Sequence, residues 1–472
     1  MSTLGFWDIT IITVAVIAYI LITSFLGLRL SGKTNDQFMV ASRKLPAAVV
    51  GAVMMSEVVA SASTVGSAQQ AFTSGMAASI GILGAAIALP FFGLVVASRM
   101  YGTGEYTISG IIAQRYGETT RLIVSGISLY AMFILVVSAY LGGAAALSVV
   151  YRIPLVWAAL ITALVSTSYY ALGGMKSVAP VMIIHLVAKY ACVIVIAAVA
   201  LKMAGGFTPI YHSLPAYYWT WDGKIGASTM LGWAFAWVGA MFATQHIVQT
   251  MSSARSAAEG KRASIYAGLW CVPIGLLAGF IGVAARYLYP NMKPLYALPI
   301  FILHMHPVLG AIATVGLAAG VFSGIAGACL GMTTLAVKDF IVPIFKLGPS
   351  EQLKVTHYAA VVIGFLPVPI VLTVQSILKT AFFARSLRVS IALVAVCGFF
   401  LPTFSTGAGA SIGLLGAVIG ASVWFFAGNP LGIDPTYIAA IIPLLVMAVD
   451  HLIRFLTKPK IQAAVGAGNS QD

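Results

Sequence analysis

Charged residues are scarce in this chain: they make up 8% of its 472 residues, with 12 Asp and Glu against 26 Lys and Arg. A typical soluble domain carries roughly a quarter charged residues, so this balance excludes that class. The four cysteines, Cys192, Cys271, Cys329 and Cys397, each sit within an apolar run. Lacking metal-ligand spacing, they make neither a zinc site nor a disulfide framework. His-Glu-x-x-His and recognisable nucleophile–base motifs are also missing, which leaves a membrane-embedded enzyme without its constellation. The net charge of +14 is spread as single or paired basic residues in short joints. That spacing fits membrane orientation rather than a nucleic-acid partner.

What the chain has is apolar length: 60% of its residues are hydrophobic and mean hydropathy is +1.00. Runs of about 18 or more apolar residues recur from end to end, the signature of a polytopic all-α membrane protein. Barrel strands would be about 10 residues long and alternate in polarity. A window of about 20 residues per crossing predicts thirteen helices, with cores near 7–29, 47–73, 76–98, 120–148, 153–172, 177–203, 226–250, 263–287, 304–336, 356–376, 380–402, 405–427 and 434–455. The first run, Trp7 to Leu30, has no basic start and no clear small-residue cleavage site, and reads as a retained helix.

Lys and Arg concentrate in alternate joints. One set holds Arg29, Lys33, Arg43, Lys44, Arg99, Arg115, Arg121, Lys176, Arg255, Lys261, Arg262, Lys338, Lys346, Lys354, Arg454, Lys458 and Lys460, against six basic residues in the other. The richer set is expected in the cytoplasm, with the N-terminus outside and the C-terminus inside a bacterial-type inner membrane. Gly205–Ile225 and Tyr287–Ile302, rich in aromatics and Pro, are expected as short re-entrant or interfacial pieces. The small polar tail Gln462–Asp472 is expected to be disordered.

One crossing is unusual. Within Gly51–Met76, the residues from Ser56 to Gln70 include four Ser, one Thr, two Gln, one Gly and Glu57. Hydroxyl side chains can re-satisfy backbone groups freed by a bend, and irregular backbone at that depth occurs where it is buried or lines a cavity. Interrupted helices of this kind hold substrate and ion in secondary transporters, although close packing of small residues gives a similar sequence.

Five segments, in order, carry a family resemblance: Ala41–Ala77 (ASRKLPAAVVGAVMMSEVVASASTVGSAQQAFTSGMA), Glu105–Gly117 (EYTISGIIAQRYG), Ala171–Pro180 (ALGGMKSVAP), Thr244–Leu269 (TQHIVQTMSSARSAAEGKRASIYAGL) and Ala318–Phe340 (AAGVFSGIAGACLGMTTLAVKDF). Together they resemble the sodium/solute symporter family over nearly the whole chain. The resemblance implies a leucine-transporter-type fold with a leading helix and cytoplasmic loop (1–46), a ten-helix core (47–402) and two additional helices with a short tail (403–472). The core would contain two inverted five-helix repeats, 47–203 and 226–402. Their first helices, Gly51–Met76 and Leu231–Thr250, would be broken, the second passing through Gly239.

The resemblance further implies a Na⁺ held by the carbonyls of Ser56 and Val59, the carbonyl of Gly320, the hydroxyl of Ser323, and position 324. Two departures stand out. Gly324 lacks the family's second hydroxyl, and Val181, Met182 and His185 replace its Thr-Asp-x-x-Gln, so an expected acid has become Met182. Other titrating groups lie close by in sequence. Glu57 adjoins the expected break, and an acid inside the membrane is a functional candidate because its charged form is costly there. Met182, His185 and Lys189 share one helical face, and a lysine there would supply its own ammonium in place of a cation. H⁺ through Glu57 or Lys189 is therefore the alternative to Na⁺. Their structural readings are a braced acid, a satisfied core histidine and an ion pair between Lys189 and Glu57.

Ser63, Thr64, Gln69 and Gln70 of the first broken helix, with Trp237 and Thr244 of the second, are expected to line a substrate pocket or to pack between helices. Gln245 and Gln249 are expected to brace the cytoplasmic joint. Arg385 and Arg388 begin the tenth core helix on the outer side, either snorkelling to headgroups or gripping an anion. A small organic acid or amino acid is the favoured solute, taken up by symport within the lipid bilayer, and no obligate protein partner is implied. A transporter-like sensor working with a separate signalling partner is the competing reading.

Overall fold

The apolar runs form helices throughout the computed structural model of the chain, which describes residues 5–30, 35–170, 174–374 and 376–468. Among the described residues there is no strand, only one backbone bridge between Leu45 and Ala254. The leading helix α1 spans Phe6–Arg29. It is followed by α2 (Ala47–Val58), α3 (Ser61–Ser74), α4 (Ile80–Val95), α5 (Glu118–Tyr151), α6 (Leu155–Tyr170) and α7 (Gly174–Met203). The second half opens with α8 (Ala227–Ala243) and α9 (Gln245–Ser252), then α10 (Ala257–Leu288), α11 (Pro307–Leu335), α12 (Pro349–Phe365) and α13 (Ile377–Phe400). Helices α14 (Gly407–Phe426) and α15 (Pro435–Gly468) close the chain.

Among the described residues, ten helices are long and apolar enough to cross a membrane. The pairs α2–α3 and α8–α9 each qualify as one bent span, giving up to twelve. The expected count of thirteen is not reached because α6 has only 16 residues. At 1.5 Å per residue it is about 24 Å long, short of a hydrocarbon core about 30 Å thick. Position in the bundle follows burial. The apolar window of α13 is 78% buried and lies at the centre, whereas those of α1 and α15 are 22% buried and present their sides outward.

The pieces expected to be re-entrant or interfacial fold into short helices, Phe207–Ser213, Ala216–Trp219, Pro294–Tyr296 and Pro299–His304. The expected disordered tail is instead helical from Gln462 through Gly468, continuing α15. Lys33, the Ala171–Gly173 part of the Gly-Gly loop and residues 469–472 lie outside the described residues.

Local contacts explain how the broken helices are held. Helix α2 has no side-chain cap of its own. Its first amide, Ala47 N, donates instead to Glu259 Oε2 at 2.6 Å, which satisfies an orphan donor and places an anion at a helix N-terminus. Glu259 itself sits in the first turn of α10, where its amide is capped by Ser256 Oγ at 3.2 Å. Next to this contact, Leu45 N donates to Ser253 O and Arg255 N donates to Leu45 O, each at 3.1 Å. Gly282 lets α10 press onto α3, since a Cβ there would lie 2.3 Å from the Ala68 carbonyl oxygen.

Candidate functional site

Both bent crossings turn by 47°. The first leaves helical geometry at Val59 and Ala60, where Ala60 is extended (φ −90°, ψ 175°). The second breaks at Thr244 (φ −75°, ψ 116°) and not at Gly239, which lies within α8. Gly239 serves packing: a Cβ there would lie 2.6 Å from Val389 Cγ2. Hydroxyls satisfy the freed backbone, as the composition of the stretch required. Ser63 Oγ donates to the freed Val58 O, and Ser61 Oγ ties the break to α5 through Ala139 O, each at 2.8 Å.

The two breaks border one hollow, lined by Ala60 and Ser63 on one side and Thr244 and His246 on the other. Glu57, Trp237, Gly324, Arg385 and Arg388 also line it, and apolar side chains of α2, α3, α5, α8 and α11 close the rest. In this conformation it leaves about 30 Å³ for water centres, room for about two molecules.

Beside the hollow lies the expected cation position, and a lysine fills it. Lys189 Nζ, on α7, donates to Ser56 O at 2.5 Å and to Ser56 Oγ at 2.9 Å. Ser323 Oγ, on α11, donates to the same Ser56 carbonyl at 2.9 Å and lies 3.4 Å from Gly320 O. Ser56, Gly320 and Ser323 therefore converge, with an ammonium among them. Val59 lies at the break, its amide bonded to Met55 O at 2.8 Å. Gly324 has no room for the family's hydroxyl, since a Cβ there would lie 2.2 Å from Ala60 Cβ.

The remaining titrating candidates separate. The Glu57 carboxyl faces Thr250, whose hydroxyl lies 3.4 Å from both of its oxygens. It also packs over Gly327, where a Cβ would come within 2.8 Å of Glu57 Cγ. The ammonium of Lys189 turns to Ser56 instead of pairing with Glu57. His185 bonds Tyr19 of α1 through Nδ1, one turn from Lys189 and on the side of the leading helix.

Arg385 and Arg388 lie deeper than the sequence suggested. Helix α13 starts at Ile377, capped by Ser376, so the two residues lie about 12 and 16 Å along it. They are 4% and 2% exposed, which excludes snorkelling in this conformation. The Arg385 guanidinium stacks 3.9 Å from the centre of the Trp237 ring, and its Nη2 is 3.4 Å from Ser63 Oγ. Arg388 Nη1 donates to Thr244 Oγ1 at 3.3 Å. The central helix thus reaches both breaks.

Three other expected pocket residues do different work. Thr64 Oγ1 donates to Ala60 O at 3.1 Å, Gln69 Oε1 accepts from Ile377 N at 3.1 Å, and Gln70 Nε2 donates to Ser74 Oγ at 2.7 Å. Gln70 lines a separate hollow with Lys379 and Asp434. Trp237 Nε1 donates to Ile80 O at 2.8 Å while its ring faces Arg385. His246 was not anticipated, although a histidine two residues beyond a break was a readable signal. It is 6% exposed and its Nδ1 has no partner among the described residues.

At the face carrying the basic joints, Gln245 Oε1 accepts from Ile108 N at 2.9 Å and Gln249 Nε2 donates to Met39 O at 2.7 Å. There α11 passes into a π-helical turn, Ala336–Ile341. Asp339 in that turn accepts from Arg121 Nη2 at 2.7 Å and from the hydroxyls of Ser109 and Ser125.

Known proteins share this fold. A structure of a Na⁺-coupled sialic acid symporter, substrate-bound and outward-open, superposes with a TM-score of 0.80 at 17% identity, covering 94% of this chain and 97% of that one. A nucleobase-cation-symport-1 family transporter, closed with bromovinylhydantoin bound, gives 0.63 at 16% identity over 91% and 96% of the two chains. These likenesses show the fold. A Drosophila melanogaster protein named for sodium-dependent multivitamin transport is 23% identical over 378 residues, 73% of this chain. The match spans 61% of that relative's length. The model of the sodium:solute symporter family matches residues 38–417, and the chain belongs to that family.

Proposed function

We propose that the protein is a secondary active symporter that imports a small organic acid or amino acid by alternating access, driven by a cation gradient. The observation that carries this reading is the pair of crossings, each bent by 47°, whose breaks border one hollow. An unbroken packing helix would leave neither freed peptide groups nor a shared cavity. The distribution of Lys and Arg supports an inner-membrane protein with its N-terminus outside and its C-terminus in the cytoplasm. The moving core is residues 47–402, flanked by 1–46 and 403–472.

Membership of the sodium:solute symporter family supports Na⁺ as the coupling ion, and the convergence of Ser56, Gly320 and Ser323 supplies the hard oxygen ligands it prefers. One observation favours a second reading, coupling to H⁺: the ammonium of Lys189 already stands among those oxygens. Uptake into proteoliposomes with Na⁺ and H⁺ gradients imposed independently decides between them. Accumulation with neither gradient changing its extent would end the coupled-carrier reading.

A further inference from the structure

The two arginines of α13 leave a chemical vacancy that a solute would fill. Arg385 uses Nη2 on Ser63, and Arg388 uses Nη1 on Thr244. Arg385 Nη1 and Arg388 Nε and Nη2 are buried with no partner among the described residues. Nε and Nη2 form one side of the guanidinium, the edge that receives a carboxylate through two parallel bonds. Both side chains border the hollow. Glu57 is its one acid, and that carboxyl faces Thr250.

Burying unpaired charges costs several kcal/mol each, and no hydrophobic packing role requires two of them three residues apart. At that spacing their Cβ atoms are neighbours on one helix face, about 5–6 Å apart. The guanidiniums then diverge toward different breaks, one held by Ser63 and the other by Thr244. A single carboxylate would neutralise one and leave the other bare. An amino acid would bring its own ammonium into a hollow already in excess of positive charge.

We propose that this hollow, widened from the closed conformation with room for about two waters, selects a short dicarboxylate, one acid group seated on the Nε–Nη2 edge of Arg388 and the other on Nη1 of Arg385. This rests on the carrier reading and narrows its solute to a dianion. Binding each group would stitch α13 to one break. The charge balance is then met by the cargo, and the empty carrier holds a repulsion that the cargo relieves.

The test is binding of radiolabelled succinate to the purified full-length protein, with malonate, propionate and proline as competitors. Succinate or malonate should bind at least about tenfold more tightly than propionate or proline, the loss of one buried charged contact being worth that or more. Arg388→Met should weaken succinate about 30-fold or more and abolish its advantage over propionate. This variant removes a buried unpaired charge, so its melting temperature should not fall. If it nonetheless fails to fold, Arg388→Lys keeps the charge without the fork and should still lose most of the advantage. Propionate or proline binding as tightly as succinate overturns the proposal, as does an advantage for succinate that survives in the folded variant. Gradient-driven accumulation of propionate or proline without succinate overturns the proposal and leaves the carrier reading standing. Succinate binding without any gradient-driven accumulation supports the proposal and overturns the carrier reading.

Discussion

Replacing Lys189 with methionine removes a positive charge from a point 2.5 Å from the Ser56 carbonyl. Methionine fills most of the same volume, so repacking is modest. The variant loses two charge-assisted hydrogen bonds, worth about 1.5–3 kcal/mol each, but also escapes the several kcal/mol needed to bury an ammonium. Ser56 O keeps the Ser323 hydroxyl at 2.9 Å while Ser56 Oγ loses its donor, and with these opposing contributions stability should change by less than about 2 kcal/mol. The effect on ion binding is larger. A Na⁺ about 4 Å from the ammonium is repelled by about 4 kcal/mol at an effective dielectric constant of 20. Even half of that corresponds to about 30-fold in affinity. The assay is a Na⁺ titration of melting temperature and of solute uptake, with choline holding ionic strength constant. The half-maximal Na⁺ concentration should fall by about 30-fold in the variant. A folded variant with unchanged Na⁺ dependence would refute the placement of the ammonium at the convergence of ion ligands.

Other expectations follow from single contacts. Ser323→Ala removes one donor to Ser56 O and should cost about 1 kcal/mol of stability, while Na⁺-stimulated uptake in proteoliposomes falls. Gly324→Ser should cost about 1–3 kcal/mol by overpacking against Ala60. The double variant with Ala60→Gly should recover part of the melting temperature, because the clash is with that Cβ. Asp339→Asn leaves Arg121 with only the exposed carboxylate of Glu118 as its ionic partner. The arginine side chain is 20% exposed, so water offsets part of the loss and about 1–3 kcal/mol is expected. Thermal unfolding reads that cost.

The first break was legible because backbone freed inside a membrane needs hydroxyls nearby, and Ser56, Ser61, Ser63 and Thr64 announce themselves in a chain so poor in polar groups. For the second, the sequence alone marks the broken span Leu231–Thr250, passing through Gly239, without fixing the residue at which it bends. The chain departs from helix at Thr244 without a positive φ, and Gly239 answers instead to the bulk of Val389. Helical spacing placed Lys189 on the right face. Its partner, Ser56, is 133 residues away and was reachable only through the family resemblance. Arg385 and Arg388 look superficial when the helix is predicted from 380 onward, whereas α13 begins at Ile377 and both side chains are buried by the helices around it. The roles of Gln69 and His185 depend on which helix end or neighbour lies opposite, and no local pattern encodes that. Gln69 meets the first amide of α13 and His185 meets Tyr19 of α1.

The backbone pairing of Leu45 with Ser253 and Arg255, together with the carboxylate of Glu259 on Ala47 N, has a mechanical meaning. It yokes the entry of one kinked rod to the exit of the other. A tilt that lowers one must drag its counterpart along, so the pair behaves as a single lever with its handle at that seam. Whatever loosens the seam should let the rods swing independently and leak, rather than merely slow the stroke.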